Sequence, residues 1–167
     1  MWLSPEKNKK GIKLDLGSGN PLEGEIQPQG YVLQDISPHE GIDLVCDIRD
    51  IRNNVNDKWC SEVRISHVLE HFSRKEMSLV LNDLKAILQD NGTLVVIVPN
   101  FMYFVQLLAE GNEESAMIHT YGGQLDEFDF HKNGFTRNVL AKVMREHGFV
   151  VKVMKDEASL TCEAKKL

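Results

Sequence analysis

The chain has 167 residues, of which 42% are hydrophobic and 26% charged, a balance that fits a folded domain and excludes a disordered or fibrous one. A chain this long buries enough apolar surface to hold a core without metal or disulfide, and three widely spaced cysteines (Cys46, Cys60, Cys162) with no C-x-x-C pair suit reduced thiols in a cytosolic setting. With 19 basic and 25 acidic side chains the net charge is −6, which offers no overall field to a phosphate backbone or an anionic lipid surface, so neither nucleic acid nor membrane is an expected partner.

One domain spanning 1–167 is expected. Lys7, Lys9 and Lys10 have no apolar segment beside them, so 1–10 reads as a loose end and not as a signal peptide. Ile12-Lys13-Leu14-Asp15-Leu16 stops at Gly17-Ser18-Gly19-Asn20-Pro21, the pattern of a strand ending in a glycine turn. Tyr31 to Asp35 and Ile42 to Asp47 are two more short apolar runs, each closing on an aspartate, and Val63 to Ser66 is a fourth. Ser73 and Glu76 have capping-box spacing, and Met77, Val80, Leu81, Leu84, Ile87 and Leu88 then recur at helical intervals until Asp90-Asn91-Gly92.

Leu94 to Val98 is continuously apolar, as in a strand covered on both faces. The uncharged stretch from Thr93 to Ala109 falls short of the ~20 apolar residues a bilayer needs and is broken by Pro99-Asn100. It reads as strand, turn and a helix from Phe101 to Glu110, closed by Gly111. Residues 112–134 show little periodicity and exceed the ~12–15 residues beyond which a loop is usually functional, so they are expected to form a substrate-facing lid. Thr136 caps a last helix carrying Val139, Leu140, Val143 and Met144 on one face, Gly148 stops it, and Phe149 to Lys155 and Ser159 to Ala164 close the chain as two strands. The order predicts an α/β fold: an open, mostly parallel twisted sheet with helices on both faces and an antiparallel hairpin at one edge.

In such a sheet ligands bind beyond the carboxyl ends of the strands, where the informative residues of this sequence fall. Gly17 and Gly19 follow the first strand, Asp35 closes the second, Asp47 the third, and Ser66-His67 the fourth. Glycines let backbone approach a ligand closely, a carboxylate at the second strand end can accept from both hydroxyls of a ribose, and one at the third can accept from an exocyclic amine. A nucleoside-type cofactor follows, with no phosphate required.

Leu14-Asp15-Leu16-Gly17-Ser18-Gly19, Asp35, Asp47, Ser66-His67-Val68-Leu69-Glu70-His71 and Asp90-Asn91-Gly92-Thr93-Leu94 together resemble the class I S-adenosylmethionine-dependent methyltransferases, over residues 11–100. More narrowly, the chain is similar to small members with a Leu-Glu-His turn after the fourth strand. The resemblance implies a Rossmann-like fold with S-adenosyl-L-methionine as cofactor. It gives Gly17 and Gly19 to the methionine part, Asp35 to the ribose, Asp47 with Ile48 to the adenine, and Ser66 and His67 to the surroundings of the sulfonium, and counts Asp15, Leu16, Ser18 and Ile36 among the cofactor-binding residues. Two departures stand out: only Asn20 to Gly30 separate the glycine turn from the second strand, and the turn before the fifth reads Asp90-Asn91-Gly92.

Other chemistries fit parts of the same pattern. His67-Val68-Leu69-Glu70-His71 matches the H-x-x-E-H of zinc hydrolases, but a third ligand at a convincing spacing is missing and no metal is expected. Gly17-x-Gly19 followed by Asp35 also suits a nicotinamide dehydrogenase, except that Leu22 stands at the third glycine position and Pro21 where the phosphate-binding helix should begin. A noncatalytic cofactor-binding module is a third class. The segment after the fourth strand lacks an Asn-Pro-Pro-Tyr-like sequence, which in the resembling class marks methylation of planar amino groups, and with the acidic charge this speaks against DNA and RNA as substrates. The resemblance to the Leu-Glu-His branch, often associated with saccharide or surface-polymer metabolism, implies O-methylation of a small-molecule or saccharide acceptor. His131 is the candidate general base, Tyr121 a residue to orient the acceptor hydroxyl, and His67 the alternative base.

Overall fold

A computed structural model of the chain describes residues 11–20 and 28–167. The expected loose end at 1–10 and most of the short connection from Asn20 to Gly30 lie outside the described residues. Seven strands among the described residues form one sheet: β1 (Ile12–Leu16), β2 (Tyr31–Asp35), β3 (Leu44–Val45), β4 (Cys60–Ser66), β5 (Leu88–Pro99), β6 (Phe149–Asp156) and β7 (Ser159–Lys166), in the order β3-β2-β1-β4-β5-β7-β6. The first five pair in parallel, and β7 runs antiparallel between β5 and β6. The fold is therefore Rossmann-like, a mixed sheet with an antiparallel C-terminal edge.

Period-two alternation sorts side chains onto two unlike faces. On one, Val32, Leu14, Val63, Leu94 and Ala164 stand opposite one another across five strands, all buried. One residue earlier in the parallel strands, and one later in the antiparallel β7, the matching row on the other face is Tyr31, Lys13, Glu62, Thr93 and Lys165. The apolar face is covered by α1 (Ile51–Asn54), α2 (Arg74–Ile87) and α5 (Arg137–Glu146). These helices lie side by side, joined by Arg52 to Asp83 at 3.7 Å and by His147 Nε2 to Ser78 Oγ at 3.0 Å. Their shared side follows from right-handed crossovers that all advance in one direction across the sheet. The β1-to-β2 connection, which advances the other way, runs largely outside the described residues.

The two-sided cover expected for the fifth strand is corrected here: Leu94, Val96 and Val98 are fully buried, whereas Val95 and Ile97 are only partly so. An apolar run shows that both faces tolerate apolar residues, not that both are sealed. The Asp90-Asn91-Gly92 turn does not separate helix from strand; β5 already pairs at Leu88 with Cys60, and the turn bulges out before Thr93 meets Glu62, with Asn91 at φ 63°. The third strand shrinks to two residues. The expected nonperiodic segment 112–134 begins with a helix, α4 (Glu113–Tyr121), which packs against α3 (Phe101–Ala109). Only Ala116 of α4 is fully buried, so it carries no apolar stripe to read. In α5 the buried residues are Leu140, Ala141 and Met144, while Val139 is exposed. Among the described residues no helix is long and apolar enough to cross a membrane.

The predicted start of α2 is realised in full: Ser73 Oγ accepts from Glu76 N and the Glu76 carboxylate accepts from Ser73 N at 2.8 Å. Ser73→Ala should lower unfolding free energy by about 1 kcal/mol, measured by urea denaturation, with an unchanged denaturant slope.

Candidate functional site

A cavity of about 790 Å³ opens at the carboxyl ends of β1, β2 and β4, within the size range of small-ligand sites. Its floor is the loop after β1. Gly17 and Gly19 have φ of 65° and 67°, and a Cβ on Gly17 would come within 2.3 Å of Val68 Cγ2. Glycine at 17 is thus required twice, by conformation and by the approach of the Val68 side chain. The end of β2 holds this loop: Gly17 N donates to Gln34 Oε1 (3.1 Å), Ser18 N to the Gln34 carbonyl (3.0 Å) and Gly19 N to Asp35 Oδ2 (2.9 Å). Three consecutive amides are satisfied by protein, so none is left to cradle a phosphate.

Both oxygens of Asp35 already accept one amide, Oδ1 from Ser37 N at 2.9 Å. That orientation leaves further lone pairs on a carboxylate lining the cavity. Asp47 caps the short turn at Ile48–Asp50 and accepts from Arg49, whose guanidinium holds the carboxyl below its usual range. Asp15 is buried, its Oδ1 2.6 Å from Arg64 and its Oδ2 accepting from Ser18 Oγ. Burial pushes Cys46 and Cys162 up to about 11 and Cys60 up to about 12, which rules out thiolate nucleophiles at neutral pH.

At the end of β4 the backbone turns sharply. His67 has φ 53° and its N donates to the Ile97 carbonyl; Leu69–His71 is a single 3-10 turn. His67 and His71 therefore do not share one face of a helix, as the H-x-x-E-H hydrolase geometry demands. A second cavity of about 420 Å³ adjoins the first, and His67, His71 and Asp129 line both.

Of the residues singled out from sequence, Asp15, Gly17, Ser18, Gly19, Asp35, Ile36, Asp47, Ile48, Ser66 and His67 all line the first cavity. Leu16 does not; its side chain is fully buried in the core. His131 lines the second cavity, its Nδ1 2.8 Å from the His119 carbonyl. Tyr121 lines neither of these cavities, being 55% exposed at the end of α4. Sequence reasoning missed Gln34 and Arg64, though a polar and a charged residue inside apolar strands were signals. It also missed Phe72 and Glu76, whereas Asp126 to Asp129 and Lys132, which also line the cavity, belong to the segment 112–134 expected to face substrate.

Gly17→Ala should destabilise the protein by roughly 2 kcal/mol or more, from left-handed strain together with the clash against Val68. Adding Val68→Ala removes the clash and should restore part of that loss, a coupling readable by a double-mutant cycle in urea.

No family model matches the sequence, and no curated protein matches it. Among solved structures the chain is similar to a SAM-dependent methyltransferase from Archaeoglobus fulgidus, with 18% identity, a TM-score of 0.64, and 96% of this chain and 87% of that one covered. It is similar to the 1,6-didemethyltoxoflavin-N1-methyltransferase of Burkholderia thailandensis, solved with 1,6-didemethyltoxoflavin and S-adenosylhomocysteine, at 15% identity and TM-score 0.62, covering 98% and 74%. A SAM-dependent methyltransferase from Methanosarcina mazei matches at 14% identity and TM-score 0.63 over 100% and 99% of the two chains. At such identities the likeness concerns architecture, and the architecture is the class I methyltransferase fold.

Proposed function

We propose that the protein binds S-adenosylmethionine and transfers its methyl group to a hydroxyl of a small-molecule or saccharide acceptor. One observation carries the cofactor assignment: the glycine loop, Asp35, Asp47 and Ser66-His67, from the ends of four strands, line a single cavity on a methyltransferase fold. The donor set fits the group. Asp35 keeps lone pairs for ribose hydroxyls, Asp47 and Ile48 line the same cavity and are the residues assigned to the adenine, and the carboxylates of Asp35, Asp126 and Asp129 suit a cationic ligand. The satisfied amides of Gly17 to Gly19 argue against a dinucleotide, whose diphosphate depends on free N–H groups at this turn.

When bound, the cofactor supplies an electrophilic methyl group. The chain then has to hold an acceptor in line and exclude water. Ser66 and His67 lie at the β4 end and line the cavity as the residues assigned to the surroundings of the sulfonium, and the Asp126–Asp129 stretch walls it from the segment expected to face substrate. The finer assignment, to members with the Leu-Glu-His turn and to oxygen acceptors, rests on that turn and on the lack of an Asn-Pro-Pro-Tyr-like segment. The three free thiols suit a cytosolic setting.

Isothermal calorimetry tests the reading. S-adenosylhomocysteine should bind and NAD should give no heat. Asp35→Ala, checked for folding by its thermal melt, should weaken binding at least about tenfold, since each lost charge-assisted hydrogen bond is worth ~1.5–3 kcal/mol. Undetectable S-adenosylhomocysteine binding by the folded wild-type chain overturns it.

A further inference from the structure

We infer that Glu70, His71 and His131 form a binding site for a divalent first-row transition-metal cation in the wall between the two cavities. One potential ligand atom from each residue lies within 4.8 Å of the others, and all three line the second cavity. Closing to the roughly 3–3.5 Å spacing of donors around such a cation asks for side-chain shifts of about an ångström.

Two further observations point to a ligand. Glu70 is 1% exposed and neither of its carboxylate oxygens has a hydrogen-bond partner; His67 Nδ1 stands 3.5 Å from Oε1. A buried carboxylate without a hydrogen bond is costly, and a cation bound between it and neutral donors removes that cost. The imidazoles, in turn, are set for coordination. His71 Nδ1 faces the Phe130 carbonyl at 3.2 Å and His131 Nδ1 the His119 carbonyl at 2.8 Å. A carbonyl only accepts, so each Nδ1 is the donor, which in the neutral ring leaves Nε2 with its lone pair, the arrangement in which metal-binding histidines are held.

The backbone locks the pair together. Lys132 N (2.8 Å) and Asn133 N (3.1 Å) both donate to the Glu70 carbonyl, and the rings of His71 and His131 meet edge to face at 4.9 Å between centroids. Two imidazoles and one carboxylate, without thiolate, suit zinc, manganese, iron or cobalt and leave coordination positions open. On the methyltransferase reading, His71 lines both cavities and so puts the site beside the cofactor cavity, and a bound cation's open position can hold an acceptor's hydroxyl oxygen there. The missing third ligand that spoke against metal in the sequence is thus His131, brought to the Leu-Glu-His turn by the fold.

The test uses untagged full-length protein stripped with chelator and titrated with Co²⁺. One equivalent should bind with visible d–d absorption, and Zn²⁺ or Mn²⁺ should raise the melting temperature. Glu70→Gln and His131→Ala should each weaken Co²⁺ binding by about 100-fold or more, while His39→Ala, at a residue that lines neither cavity, leaves it unchanged. Glu70→Gln preserves shape and removes charge, so it keeps the test valid if His131→Ala fails to fold. Absence of a stoichiometric cobalt complex, or one unaffected by Glu70→Gln, overturns the site. Cobalt binding without S-adenosylhomocysteine binding defeats the methyltransferase reading alone; the converse defeats the metal site alone.

Discussion

The candidate site is built on the grip of β2 upon the loop that follows β1. Gln34 accepts the Gly17 amide with its side chain and the Ser18 amide with its carbonyl, and Asp35 takes the Gly19 amide. A tight turn through two left-handed glycines has no helical or strand partners for these groups, and buried amides left unpaired are costly. Gln34 is itself fixed, fully buried and donating through Nε2 to the Cys46 carbonyl at 2.6 Å. The chain from β3 back to β1 is thereby one hydrogen-bonded unit, and the cavity floor follows from it.

The sheet above this floor divides its labour by face. The row through Val32, Leu14, Val63, Leu94 and Ala164 meets α1, α2 and α5 and supplies the apolar burial that stabilises the domain. The opposite rows carry Asp15, Arg64 and Glu163 beside Val95. Their first pair, Asp15 with Arg64, sits where the polar face runs into the cavity. A charged pair there is tolerable because Ser18 Oγ and the guanidinium satisfy both carboxylate oxygens.

Beyond β4 the chain avoids a regular helix start. His67 in the left-handed region aims the Leu69–His71 turn back under the segment from Phe130 to Asn133, and four hydrogen bonds join them: Lys132 N and Asn133 N to the Glu70 carbonyl, His71 Nδ1 to that of Phe130, and Asn133 Nδ2 to that of Phe72. The two cavities share a wall because of this seam. It also buries the Glu70 side chain while the Glu70 carbonyl accepts two amides.

Local pattern determined most of the architecture. Alternation and apolar runs defined the strands, the Ser73 and Thr136 caps defined two helices, and glycine and aspartate at strand ends marked the cavity, because each of these signals acts over a few residues. Where burial did not leave a stripe, as in α4, or where a strand's second face was only partly covered, as in β5, the same signals misled. The meeting of His131 with Glu70 and His71, the Arg49 partner of Asp47, and the removal of Leu16 and Tyr121 from the cavities were decided by tertiary structure. Such contacts depend on crossover handedness and on hydrogen bonds between segments tens of residues apart, and a local sequence pattern holds no record of either.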